Sequence, residues 1–252
     1  MATAEPRTRG LAIDDRQTTL LRREIIREKP FLRRIYDEWY QAIVDNLPPG
    51  GGAVLEIGSG AGFLAAYVPD AITSDVFILP DLKLVLDGRC LPLRAGTLRA
   101  VVMTDAFHHI PSSVPFLREA ARCVRPGGAM VMIEPWVTSW SKLVYGRLHH
   151  EPFDPRAPRW EFPQSGPLSG GNSALPWIVF ERDAETFAER FPEWKLKQKR
   201  PSMPFRYLVS GGVSQRAMAP AFTFEWWRTI ERLLEPAMAR LAMFATIVLE
   251  RV

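Results

Sequence analysis

The stretch VLEIGSGAGFLAAYVPDAITSDV, residues 54–76, decides how the chain folds. An apolar run typical of a buried strand leads into three glycines at alternate positions, Gly58, Gly60 and Gly62. Glycines at this spacing let the backbone approach a ligand closely and open a helix whose N-terminus favours anions. A second apolar run ends at Asp75. The stretch therefore predicts a strand, a ligand-binding glycine turn, a short helix stopped by Pro69, and a second strand.

Strands and helices continue to alternate beyond this stretch. We predict strands in LKLVLD, LRAVVMTDAF, AMVMIEP, EWKLKQKR and MFATIVLERV. We predict helices in VPFLREAARCV, closed by RPGG, and in DAETFAERF. Short apolar strands that alternate with helices imply a parallel sheet covered on both faces. The predicted fold class is therefore α/β, with a doubly wound sheet.

Three segments outside this alternation predict a cap. Residues 16–44 carry apolar residues at helical spacing, and Pro30 divides them into two helices near Lys29. Residues 136–177 are rich in Pro, Gly and Trp, show little regular structure and favour an ordered lid. Residues 201–241 include an amphipathic helix with Trp226 on its apolar face and a kink at Pro236. We predict an N-terminal helical cap over residues 1–46 and a second domain over residues 47–252 that contains both insertions.

Composition excludes several classes of protein. Of the 252 residues, 47% are hydrophobic and 24% are charged, which is typical of a globular chain and not of a disordered one. Basic and acidic residues alternate around a net charge of +4, so we expect no nucleic-acid partner. No apolar run approaches the length of a membrane span and no signal peptide is visible, so we expect a cytoplasmic protein, with peripheral membrane association left open. The four histidines and two cysteines show no metal-ligand spacing, so we expect no metal, and the oligomeric state is not predicted.

Two cofactor classes compete for the glycine turn. Gly60, Gly62 and Ala65 match G-x-G-x-x-A, which keeps a dinucleotide-dependent reductase as an alternative. The acid that such sites place about 20 residues further on arrives too early here, at Asp75. A second match begins at Glu56 and consists of an acid followed by the three alternating glycines.

This second match resembles the first motif of class I S-adenosylmethionine-dependent methyltransferases. DGRCLPLRAGTLRAVVMTDAFHHI and REAARCVRPGGAMVMIEP are similar to later motifs of that family, in the right order. The FHHI histidine pair resembles the ubiquinone- and menaquinone-methylase-like branch. The resemblance covers residues 54–135 and implies a seven-stranded Rossmann-like sheet with an antiparallel final hairpin. The short segment after Asp75 departs from the family, whose second helix we expect to be shortened or lost here.

The resemblance also implies a site for S-adenosylmethionine, the methyl donor. Asp75 would hold the ribose hydroxyls and Asp87 the adenine amino group, with Gly88 beside it. Glu56 would face the ammonium side of the donor or order the glycine loop. The donor-binding residues predicted in this way are Glu56, Gly58, Ser59, Gly60, Gly62, Asp75, Asp87, Gly88 and Thr104.

Histidines are the candidate catalytic bases. His109 follows the fourth strand, and His149 and His150 lie among the tryptophans of the predicted lid. Each histidine could instead be a packed structural residue, and the sequence leaves both interpretations open. We expect methyl transfer to a small-molecule or lipid-like acceptor, because the lid is aromatic and the C-terminal helix is apolar. A donor-binding partner subunit without catalysis is a second alternative.

Overall fold

A computed structural model describes residues 4–8, 10–148, 151–163 and 165–252, except for the side chain of Leu148. Within these residues the strands form one seven-stranded sheet with the order β3-β2-β1-β4-β5-β7-β6. The first five strands are parallel, and β7 is antiparallel to both β5 and β6. The predicted doubly wound sheet and its antiparallel final hairpin are confirmed. The strands are β1 (Ala53–Ile57), β2 (Ile72–Asp75), β3 (Leu84–Val85), β4 (Leu98–Thr104), β5 (Val124–Pro135), β6 (Trp194–Ser202) and β7 (Phe244–Arg251).

Helices cover both faces of the sheet. The predicted division near Lys29 is confirmed, since one helix ends just before Lys29 and the next begins at Pro30, where a missing N–H costs nothing. The helices of the described residues are α1 (Arg16–Glu28), α2 (Pro30–Asp45), α3 (Ser113–Cys123), α4 (Ser139–Leu148), α5 (Leu175–Trp177), α6 (Ala184–Arg190), α7 (Arg206–Ser210), α8 (Phe224–Leu233) and α9 (Met238–Leu241). None of the helices in the described part of the chain is long and apolar enough to cross a membrane.

Two hydrophobic cores lie on opposite faces of the sheet. One face packs against α3 and α6, with Phe116 and Phe187 fully buried against strand residues such as Met103. The other face packs against α2, with Ile35 and Trp39 buried against alternate strand residues. Side chains alternate along each strand, so neighbouring residues of a strand enter opposite cores.

The two connections beside Asp75, from β1 to β2 and from β2 to β3, contain almost no helix. The helix expected after the glycine turn is a single 3₁₀ turn, Leu64–Ala66, because Pro69 leaves no room for a longer one. No helix joins β2 to β3, as expected from the short segment after Asp75. Helix α2 covers the face left open, and its Tyr40 packs edge-to-face on Phe63.

Helix α3 ends at Cys123, just before RPGG, and residues 125–128 interrupt the pairing of β5, in which Val124 pairs with Leu98 and Ala129 with Ala100. Three further expectations are corrected. The lid, predicted to hold little regular structure, contains the ten-residue helix α4. The C-terminal helix is broken rather than kinked, since α8 ends at Leu233 before Pro236. Its predicted apolar face points outward, with Trp226 66% exposed, because α8 buries the Phe224 and Glu231 side instead.

Candidate active site

A cavity of about 480 Å³ lies at the carboxyl ends of β1, β2 and β4, where open α/β sheets bind ligands. The glycine loop and the end of β2 form one part of its wall, which we call the donor end. The residues after β4 and the lid form another part, which we call the acceptor end. Helices α1 and α2 and residues 213–214 contribute further lining residues. Every donor-binding residue predicted from the sequence lines this cavity.

A chain of hydrogen bonds holds the glycine loop at the donor end. The Ser59 hydroxyl donates to the buried Glu56 carboxylate at 2.6 Å and accepts from the Ser74 amide at 3.0 Å. The Ser59 amide in turn donates to the Ser74 carbonyl at 2.8 Å. Burial raises the pKa of Glu56 to about 7, although the Ser59 hydrogen bond opposes this shift. Glu56 therefore orders the loop through Ser59, one of the two roles predicted for it.

Asp75 links the end of β2 to the glycine loop. One carboxylate oxygen accepts from the Gly60 amide at 2.9 Å and the other accepts from the Phe77 amide at 3.0 Å. Burial raises the pKa of Asp75, while these backbone hydrogen bonds oppose the rise. Each carboxylate oxygen has a second acceptor position, so a pair of ligand hydroxyls can still be bound. The side chain fits the ribose diol of the methyl donor.

The glycines are required by close packing as well as by any ligand. Gly58 has φ +70°, and a Cβ there would lie 2.7 Å from the Cβ of Ala106. A Cβ at Gly62 would lie 2.5 Å from the hydroxyl of Tyr40, which accepts a hydrogen bond from the Phe63 amide. The loop is therefore pressed between β4 and α2, with its backbone facing the cavity.

Three predicted donor-binding residues remain, and they are Asp87, Gly88 and Thr104. Asp87 is half-exposed and forms an ion pair with Arg89 at 2.6 Å, and these hydrogen bonds lower the pKa of Asp87. A Cβ added at Gly88 would lie 3.1 Å from the ring of Phe116. The Thr104 hydroxyl is buried and has no hydrogen-bond partner in the part of the chain that the structure describes, although Thr104 lines the cavity. An unpartnered hydroxyl in a cavity wall fits a polar ligand.

The acceptor end is built around His108, which is fully buried. Its Nδ1 lies 2.8 Å from the carboxylate of Glu134, which also accepts from the Ala106 and Phe107 amides at 2.8 and 2.7 Å. Its Nε2 lies 3.4 Å from the Glu151 carboxylate. Burial alone would lower the pKa of His108, but the two carboxylates raise it well above the usual value.

His109 lines the cavity beside His108. Its Nδ1 donates to the Gly170 carbonyl at 3.0 Å and its Nε2 lies 4.0 Å from Glu151. Burial and the neighbouring His108 lower the pKa of His109 to about 4. The ring is therefore neutral at neutral pH.

Asp105 lines the cavity but was not among the site residues predicted from the sequence. It follows β4 with φ +56°, a left-handed conformation that aspartate tolerates. Burial raises its pKa to about 7, with the charges of Glu151 and Glu134 adding to the rise. The position directly after Thr104, at a strand end, was the signal available in the sequence. Glu134 and Glu151 were also missed, because nothing in the linear order connects them to the histidines.

The lid is anchored to the N-terminal segment. The Asp14 carboxylate accepts from the amides of Leu168 and Ser169 at 2.7 and 2.9 Å. Gly171 approaches His109 so closely that an added Cβ would lie 2.9 Å from its Nδ1. His149 and His150, the other predicted catalytic residues, lie outside the described residues.

Comparisons with known proteins agree with this geometry. A family model described as a methyltransferase domain matches residues 55–132. An uncharacterized methyltransferase of Mycobacteroides abscessus is 26% identical over 191 residues, which cover 65% of this chain and 73% of the relative.

Solved structures share the fold. A chain of the complex between the Trm112 methyltransferase activator and a methyltransferase of Haloferax volcanii superposes with a TM-score of 0.57 at 15% identity, covering 96% of this chain and 99% of that one. Geranyl diphosphate C-methyltransferase from Streptomyces coelicolor, solved with Mg²⁺, geranyl diphosphate and S-adenosyl-L-homocysteine, superposes with a TM-score of 0.54 at 13% identity, covering 96% and 90%.

The matched segment, residues 55–132, contains β1, the glycine loop, Asp75 and β4, which are the elements that form the donor end. The order of motifs, the fold and the methyltransferase relatives thus agree on one of the two cofactor classes that the glycine turn allowed. The chain is a class I S-adenosylmethionine-dependent methyltransferase.

Proposed function

We propose that the chain transfers the methyl group of S-adenosylmethionine to a small-molecule or lipid-like acceptor held at the acceptor end of the cavity. The observation that carries this proposal is that one cavity of about 480 Å³ joins the glycine loop and Asp75 to the Asp105 and His109 region. This volume lies within the range of small-molecule sites.

The donor would lie along the glycine loop. Asp75 would accept from the ribose hydroxyls, and Asp87 would accept from the adenine amino group beside the backbone of Gly88. Loop residues 58–62 would bring backbone against the amino-acid part of the donor, with Glu56 acting through Ser59. The unpartnered hydroxyl of Thr104 supplies a further polar contact from the end of β4.

When bound, the donor supplies a sulfonium methyl group that a nucleophilic atom of the acceptor displaces in line. Most of the rate enhancement then comes from holding the two reactants together and excluding water. Asp105 is the better placed general base, because a pKa of about 7 suits proton removal at neutral pH. His109 is a weaker base, since its pKa is about 4. It therefore acts as part of the acceptor wall.

The lid supports a small acceptor. Gly166, Pro167 and Leu168 line the cavity, and the Leu168 and Ser169 amides donate to the Asp14 carboxylate. The aromatic rings of Tyr36 and Tyr207 line the same cavity. A covered aromatic pocket favours a compact apolar acceptor over the side chain of a folded protein or a nucleic acid.

We also propose that the chain belongs to one branch of the methyltransferases and that its domain boundary lies after residue 46. The FHHI pair, residues 107–110, and the RPGG turn support a ubiquinone- and menaquinone-methylase-like relative. Residues 1–46 supply α1 and α2, which cover the donor end and one face of the sheet, while residues 47–252 carry the sheet and both insertions.

The acceptor class can be tested with donor labelled in its methyl group. The enzyme is incubated with the small-molecule and lipid fraction, the protein fraction and the RNA fraction of one cell extract. We expect label in the small-molecule and lipid fraction. Label confined to protein or RNA would contradict the proposed acceptor class.

The general base can be tested with Asp105→Asn, which suits the left-handed backbone at this position. We expect this variant to lower the rate of transfer by about 10² to 10⁴ while leaving the dissociation constant of S-adenosylmethionine nearly unchanged. Equal loss of donor affinity and rate would instead place Asp105 in the donor site. An unchanged rate would show that the acceptor needs no base at this position.

A further inference from the structure

We propose that His108, His109 and Glu151 form a binding site for one divalent transition-metal ion at the acceptor end of the cavity. One ligand atom from each of the three residues lies within 4.8 Å of the others. No metal was expected from the sequence, because the histidines and cysteines show no ligand spacing. Folding supplies the missing ligand, since the lid brings Glu151 to a pair of histidines that follow β4.

His109 presents a lone pair to Glu151. Its Nδ1 lies 3.0 Å from the carbonyl of Gly170, which can only accept, so Nδ1 carries the proton. In the neutral ring Nε2 is then an acceptor, and it lies 4.0 Å from a Glu151 oxygen that is also an acceptor. A cation placed between these two atoms would bond to both of them.

His108 offers the second nitrogen. Its Nε2 is fully buried and lies 3.4 Å from the other Glu151 oxygen. The raised pKa of His108 places a proton on this nitrogen in the metal-free enzyme, and a bound metal ion would displace that proton. Its Nδ1 is held by Glu134 at 2.8 Å. A carboxylate on one nitrogen of an imidazole and a metal on the other is the usual arrangement of metal-bound histidine. The Gly170 carbonyl holds His109 in the corresponding way.

The distances suit a small ion. Ligands about 2.0–2.2 Å from a tetrahedral ion lie about 3.4 Å apart, which matches the separation of His108 Nε2 and the Glu151 carboxylate. The separation between His109 and Glu151 is only slightly larger. Two imidazole nitrogens and one carboxylate favour zinc or iron(II) over calcium or magnesium, which prefer oxygen ligands.

The surrounding charge also favours a dication. Asp105 and Glu134 interact electrostatically with His108, in addition to Glu151, so three carboxyl groups surround the two rings. His109 and Glu151 line the cavity, and the open coordination positions therefore face it, where water or an acceptor oxygen completes the shell. The contact with the acceptor rests on the proposed function, whereas metal binding by the free enzyme does not.

The test is metal binding by the full-length enzyme without donor or acceptor. After dialysis against a chelator, Zn²⁺ is titrated by calorimetry and Co²⁺ is followed by its visible absorption spectrum. We expect one equivalent of either ion, and at least tenfold weaker binding in His109→Gln and in Glu151→Gln. Glu134→Gln, which keeps an oxygen for the Ala106 and Phe107 amides but replaces the carboxylate that holds His108, should weaken binding by about 10- to 100-fold.

Two controls separate this site from incidental binding. Glu161→Gln changes an exposed carboxylate and should bind like the parent enzyme. A variant with His149 and His150 both changed to Gln should also retain the site. The proposal is overturned if the folded, chelator-treated enzyme binds neither ion. It is equally overturned if His109→Gln and Glu151→Gln bind as tightly as the parent, or if only the His149 and His150 variant loses binding. The space between His108 Nε2 and the Glu151 carboxylate would then hold a shared proton and no metal ion.

Discussion

The two ends of the cavity are assembled in different ways. The donor end comes from nearly continuous sequence, residues 56–88, and is held mainly by backbone groups and by one short hydrogen-bond chain through Ser59. The acceptor end combines His108 and His109 with Glu134 from β5 and Glu151 from the lid. The comparison shows that a continuous segment can predict a binding loop, whereas a site assembled from distant side chains becomes visible only in the fold.

The largest effect on stability should come from the acceptor end. Glu134→Ala removes the buried acceptor of two backbone amides and leaves His108 buried without its partner. We expect the free energy of unfolding to fall by about 3–5 kcal/mol, measured by denaturant titration. The matched control is Glu250→Ala, which breaks a half-exposed pair with Lys197 and should cost less than about 1 kcal/mol. Equal losses in the two variants would mean that the His108 network does not hold the acceptor end together.

The buried Glu56 at the donor end should make the free energy of unfolding depend on pH. The pKa of Glu56 is about 7 in the folded chain against an ordinary value of 4.5, because the carboxyl is buried. The folded state therefore holds this proton more tightly, and the stabilisation present below pH 4.5 is lost as the pH rises to 7. The loss should amount to about 3 kcal/mol.

The measurement is the difference in the free energy of unfolding between the parent and Glu56→Gln from pH 4 to pH 8. Taking the difference cancels the titration of Asp105 and the histidines, which both proteins share. We expect the parent to lose stability relative to the variant across this range. Parallel profiles would show that Glu56 titrates normally, which would contradict the burial of its carboxyl group.

The lid should give the smallest effect. Asp14→Ala removes the acceptor of the Leu168 and Ser169 amides and should speed their hydrogen exchange roughly five- to tenfold. The neighbouring Asp15→Ala is a matched control, because Asp15 caps α1 through the Gln17 amide and should leave lid exchange unchanged. If both variants, or neither, change exchange at these two amides, Asp14 does not anchor the lid.

Sequence patterns predicted the sheet and the donor end well. Alternation of apolar strands, the glycine spacing and Asp75 at a strand end are local signals, and the elements they predict appear at the expected positions. The short β2 to β3 connection was also foreseen from the spacing after Asp75. These features depend on residues close together in the chain.

The predictions from sequence fail where contacts between distant parts of the chain determine the local structure. Helix α8 exposes Trp226 because Glu231 is buried to accept from the amides of Phe205 and Arg206, a contact that periodicity cannot show. The acceptor cluster needed Glu134 and Glu151, whose distance from His108 in sequence hides their contact.

The central claim is that S-adenosylmethionine binds at the donor end, with its ribose on Asp75. The most direct measurement is calorimetric titration of S-adenosylmethionine into the parent, Asp75→Ala and the exposed control Asp70→Ala, with folding of each protein checked by circular dichroism. Charge-assisted hydrogen bonds contribute about 1.5 to 3 kcal/mol each, so Asp75→Ala should bind roughly ten- to several-hundred-fold more weakly while Asp70→Ala binds like the parent. A folded Asp75→Ala protein that binds the donor as tightly as the parent would contradict the claim.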